Sequence, residues 1–243
     1  MKEDIQENNG SKIRIWAKEE KEKNKNTNQN LYNVLFGALI YGLTGFSETL
    51  PEKNEIDTTF SKPMEKIRKR YNNDASLFEL GCYLFFRIDL WCVQNLYEEW
   101  RNRKLPFLIN KFVSLFEKAL DTEGLSLIFD NRLDLYGRAI RGELTSVSVL
   151  GTVSRDNEKI QDIFHFYLIQ LIHKTTDNTL PKIYKFNKEG NSLIIPICID
   201  AFETFFIFNN IVSWEISVLP ASLETIKNSM IMDEKFKNYK IKL

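Results

Sequence analysis

Five charged side chains in apolar surroundings mark where this sequence could do chemistry: Arg87, Asp89, Arg132, Asp134 and Arg138. The run 77–93 is apolar nearly all round, with Glu79, Arg87 and Asp89 set into it. An unpaired charge at that depth costs several kcal/mol, so each needs a partner. Arg87 and Asp89 are two residues apart, on opposite sides of a helix, and cannot satisfy each other. Partners are expected from a later helical stretch carrying Asp130, Arg132, Asp134 and Arg138, in which Asp134 and Arg138 have i,i+4 spacing. Asp130 or Asp134 is the expected carboxylate for Arg87, and Arg132 is expected to face Asp89. Glu79 lies two turns before Arg87, too far along the axis for a close pair. Such a cluster has two uses. It can be a pocket whose arginines hold an anionic ligand or an acidic peptide, or an ion network that fixes helix register.

Other chemistry is poorly supported. The chain has two histidines, His165 and His173, eight apart on one helical stretch. Asp162-x-x-His165 has the spacing of a carboxylate–histidine metal pair, but a dinuclear site needs a second histidine-bearing motif from another helix, and none exists. No bound metal and no cofactor are expected, and both histidines read as residues of an amphipathic helix. There is no Gly-x-Ser-x-Gly elbow and no Gly-x-x-x-x-Gly-Lys phosphate loop. Lys66, Arg68, Lys69 and Arg70 beside Tyr71 form a short basic patch, read as a solvated face. Cys82, Cys92 and Cys198 have no short spacing and sit among apolar residues, as reduced core thiols do.

The elements that must position these residues read as helices almost throughout. Ser76-x-x-Glu79 has the form of a capping box opening a helix expected to run to about residue 103. Pro106 suits the first turn of the next, which carries Phe107, Leu108, Phe112, Leu115, Phe116 and Leu120 and ends near Gly124. Ser126 is the expected cap of a third, with Phe129, Leu133, Tyr136 and Ile140 on one face and Gly142 as its stop. Asp156 is placed to cap a fourth, through 160–171, that ends before Pro181. Asp200-x-x-Glu203 opens a fifth, expected to close at Pro220, with Ser222 capping a last short one. Strand patterns occur only at 145–153 and 192–199, the second broken by Pro196. The pentapeptide Arg87-Ile-Asp-Leu-Trp91 recurs as Arg132-Leu-Asp-Leu-Tyr136, but the flanks do not align, so the echo reads as chance rather than as a repeat unit.

The expected fold is therefore an all-α bundle around a buried central helix, with at most a two-stranded excursion. Residues 1–30, dense in Lys, Glu and Asn, read as a separate charged segment, and 31–243 as one helical domain. The uncharged run 31–46 is too short to span a membrane, and 193–214 is interrupted by Pro196, Asp200 and Glu203. Charged first residues give no signal peptide, and the thiols fit a reducing, cytoplasmic location. Lysine plus arginine and aspartate plus glutamate both number 33, which argues against a polyanion as partner. Lysine outnumbers arginine 23 to 10, a bias that AT-rich coding produces, pointing to a bacterial or phage source. The function expected by class is a non-enzymatic interaction or regulatory protein, an accessory of a defence, counter-defence or toxin-neutralising system, binding a protein or a second copy of itself. The rival is a small-ligand sensor or enzyme built around the buried arginines.

Overall fold

The central helix begins at Asn73. Its extended backbone (φ −134°, ψ 165°) and side-chain oxygen, which accepts from the Ser76 amide at 2.8 Å, make it the N-cap. The expected capping box does not form, because both its members are occupied elsewhere. The Ser76 hydroxyl meets the Thr175 hydroxyl at 2.5 Å, and Glu79 turns inward to an arginine. The computed structural model describes residues 31–48, 70–143, 160–181 and 201–239. Of these, 88% are helical, in six helices without a strand. In chain order they are α1 Leu31–Glu48, α2 Asp74–Gln94, α3 Glu98–Leu120, α4 Leu125–Ile140, α5 Ile160–Lys174 and α6 Ala201–Tyr239, with a short 3-10 turn, Thr176–Asn178, after α5. The expected strands, Asp156, Cys198 and the segment 1–30 lie outside the described residues.

α2 is the axis of the bundle and packs against α1, α3, α4 and α5, while α6 packs on α1 and α5. Every residue from Asp74 to Phe86 is buried, as is Ile88. An apolar helix without a solvent stripe has to take this place. Close approach is built in at two glycines. A Cβ on Gly81 would stand 2.3 Å from the Phe112 ring, so α2 and α3 touch almost backbone to ring. A Cβ on Gly42 would stand 2.9 Å from Val218, which brings α1 onto α6.

Four helix boundaries differ from the sequence expectation. α4 starts at Leu125 behind Gly124, whose backbone is left-handed (φ 77°), so Ser126 lies inside the helix and is not its cap. The helix expected to reach residue 103 stops at Gln94, and α3 starts at Glu98. Leu96 takes a left-handed backbone (φ 60°), the Tyr97 amide donates to Cys92 O at 2.9 Å and the Leu96 amide to Val93 O at 3.3 Å. This is a Schellman stop, in which Tyr97 packs back on Trp91 at 5.1 Å between ring centroids. Trp91 is consequently only partly buried, and Val93 is exposed. Pro106 sits well inside α3 rather than in its first turn. It and Asn102, whose carbonyl loses its donor, are both on the solvent side, where water can replace the lost bond. Pro220 likewise fails to end its helix: α6 continues to Tyr239. Its lost bond falls at the exposed Ile216, while buried Leu219, Ser222 and Ile226 hold the helix on both sides of the proline. Gly142 does end α4, in the left-handed conformation (φ 71°), with its own amide and that of Glu143 closing on Ala139 and Arg138.

Among the described residues no helix is long and apolar enough to cross a membrane.

Candidate functional site

The five expected residues do not form one cluster. Arg87 reaches a carboxylate from another helix, but that carboxylate is Glu215 of α6, at 2.5 Å, and neither Asp130 nor Asp134. Asp89 is gripped by both Nε and Nη2 of Arg101 on α3, at 2.5 and 3.0 Å, instead of by Arg132. Arg132 forms a two-pronged pair with Glu79 at 2.8 and 2.7 Å, both side chains fully buried. It also donates to Pro181 O at 3.1 Å and Asn131 Oδ1 at 3.0 Å. Asp134 faces solvent and reaches Arg141 at 3.9 Å rather than Arg138, which meets Glu143 at 3.2 Å. The reason is helical geometry. Arg132 and Asp134 are two residues apart, so turning the arginine into the core turns the aspartate out.

The chemistry-bearing groups that do converge form two quartets of identical composition. In the inner one, Tyr83 Oη donates to Glu215 Oε1 at 2.5 Å and accepts from Arg87 Nη1 at 2.8 Å. His165 Nε2 lies 2.7 Å from the other oxygen, Glu215 Oε2. In the outer one, Tyr71 Oη donates to Glu203 Oε1 at 2.7 Å, and Arg70 Nη1 donates to the same oxygen at 3.1 Å. His173 Nδ1 lies 2.7 Å from Tyr71 Oη and 3.7 Å from Glu203 Oε2. The arginine also lies over its tyrosine ring in both, at 5.7 Å for Arg87 and 5.4 Å for Arg70. Tyr83 lies on α2 and Tyr71 just before it, both histidines lie on α5 and both glutamates on α6. The two glutamates are twelve residues apart on one helix, an axial step of about 18 Å.

Proton bookkeeping fixes the roles. A phenol has one hydrogen, which goes to the carboxylate, so in the outer quartet the His173 Nδ1–H donates to Tyr71 Oη. In the inner quartet the His165 Nε2–H serves Glu215, and the buried Nδ1 has no partner among the described residues. A second proton there would be a donor with nowhere to go.

The electrostatics follow. Burial, with Glu203 beside it, pushes the Tyr71 phenol well above its ordinary range, and burial with Glu215 does the same to Tyr83. Burial would raise the Glu215 carboxyl, but the hydrogen bonds from His165 and Tyr83 and the charge of Arg87 bring it below its usual value. His173 is lowered by burial, with Arg70 and Lys174 adding to the effect and Glu203 opposing it. The phenols and the His173 imidazole are thus held neutral, and Glu215 is held ionised.

Reasoning from sequence missed both quartets. It read Arg70 and Tyr71 as part of a solvated basic patch and the histidines as amphipathic-helix residues. One signal was present: Glu215 is a lone acid inside the apolar stretch 211–219, and such a charge needs a partner. Cys82 and Cys92 are free and buried, and burial pushes the Cys92 thiol up to about 12. Neither is a poised nucleophile. Among the described residues no group of three or more His, Cys, Asp or Glu could hold a metal ion; the side chain of Asp162 lies outside them. No protein-family model matches the chain, and neither a curated protein nor a solved structure matches it significantly.

Proposed function

We propose that the chain is a non-enzymatic helical interaction protein that offers the corner between α2 and α3 to a protein partner. The observation that carries this reading is Leu96. It stands 82% exposed at the one position of the helix stop where the backbone must be left-handed. Glycine is the ordinary occupant of that position, as Gly142 is at the end of α4. A leucine there costs conformational energy and gains nothing from burial, and strain of this kind tends to be kept at binding sites. Val93 is exposed beside it, and Glu98, Glu99, Arg101 and Arg103 follow on the first turns of α3. The partner that fits is a protein with an apolar pocket rimmed by charges of both signs.

The rival reading, an anion-binding pocket lined by arginines, draws less support. Arg87 and Arg132 are each engaged by a carboxylate of the fold itself. The test is affinity capture from the native host with wild-type protein and with Leu96→Gly as baits, followed by titration of the recovered partner. The variant should keep its thermal midpoint and bind at least tenfold more weakly. Equal affinity would remove the basis for this reading. A thermal midpoint raised by a small anion would favour the arginine pocket instead.

A further inference from the structure

The two quartets share a property that neither shows alone. Each contains one guanidinium and one carboxylate, whose charges cancel, and each is balanced only while its histidine is neutral. A proton on His173 would stand beside Tyr71 and Glu203, with Arg70 bonded to the same carboxylate and Lys174 as its chain neighbour. One on His165 would join Arg87 on Glu215, next to Tyr83 and the edge of the Phe208 ring, and would leave a buried Nδ1–H without an acceptor. Both histidines belong to α5 and both carboxylates to α6, so the two events act on the same seam, His173 at the end of α5 and His165 about two turns earlier.

We propose that the quartets are paired proton sensors which clamp α5 to α6 and α2 while both imidazoles are neutral, and loosen that seam together when the pH falls. The direction can be checked for His173, whose folded value is depressed. Its contribution is complete above the ordinary imidazole value of about 6.5 and is lost as the pH falls below it. Histidine is the side chain suited to this range.

The chain has only these two histidines, so both imidazole signals can be assigned by single substitutions and followed by NMR. Hydrogen exchange gives the second readout. Protection of the α5 amides, corrected for intrinsic rates, should fall at least tenfold between pH 7.5 and 5.5. It should change little in the double variant His165→Gln/His173→Gln. Unchanged protection in the wild type, or a His173 imidazole titrating at or above about 6.5, would overturn the proposal. Should the double variant fail to fold, Arg70→Gln decides. Removing that charge should move the His173 titration up. The pH at which α5 protection falls should move up with it, and protection that ignores the shift would overturn the proposal.

Discussion

The two ends of the central helix contain the same kinds of residue and treat them in opposite ways. Near its start, Glu79 is fully buried and closed off by Arg132 from α4. Near its finish, Asp89 meets Arg101 with comparable geometry, but both side chains are about one-third exposed. The first half is covered on every side, while the second emerges past Ile88 and ends on a strained, exposed leucine. A two-pronged arginine–carboxylate pair is therefore not one energetic object. When buried it cannot lose a member without stranding a charge; at the surface water replaces what is lost.

The largest effect expected from this contrast is at the buried pair. Arg132→Met should cost about 3–5 kcal/mol in urea unfolding, because Glu79 is left buried without its partner. Adding Glu79→Leu should recover most of that loss. If the single change costs under about 1 kcal/mol, the pair is wetter than its burial implies. Next comes Gly81→Ala, which stays within the buried half. The new methyl meets the Phe112 ring, itself packed on Phe78, Phe85 and Phe116, so the ring has little room to give. A loss of roughly 1–3 kcal/mol is expected, and a neutral result would mean that α3 shifts freely on α2.

The exposed half should respond weakly. Arg101→Ala is expected to cost about 0.2–1 kcal/mol, less in high salt, as read from the denaturation midpoint. A cost matching that of Arg132→Met would erase the contrast. The smallest effect on stability belongs to Leu96→Gly. Relief of the left-handed strain is set against the greater freedom of glycine in the unfolded chain, leaving a net change within about 0.5 kcal/mol. Its effect on partner binding is where this change should be felt.

How far the sequence reaches can be judged from particular residues. The run 77–93 had to be a central helix, because no orientation gives it a solvent face, and only near its end, at Val93, does the structure expose it. The fate of Gly142 could also be read locally, since a glycine after a helical stretch satisfies the stop by itself. Leu96 could not: a leucine in the left-handed conformation has no sequence signature, and so the helix was expected to continue to 103. Pro106 and Pro220 mislead for the complementary reason. A proline tolerates a helix interior when its lost hydrogen bond falls on the wet side and the flanking residues are packed, and both conditions are tertiary.

The charged residues divide along the same line. From spacing alone it follows that Arg87 and Asp89 cannot pair and that a deep charge must have a partner, because helix periodicity and desolvation act on any chain. Which carboxylate answers which arginine depends on helix rotation and axial offset. Glu79 with Arg132 spans 53 residues and Arg87 with Glu215 spans 128, and no local pattern encodes such distances. Only the folded bundle brings Tyr71, His173 and Glu203, and again Tyr83, His165 and Glu215, from three separate parts of the chain to one seam. Sequence determined which residues must be buried and must be paired; packing decided with whom.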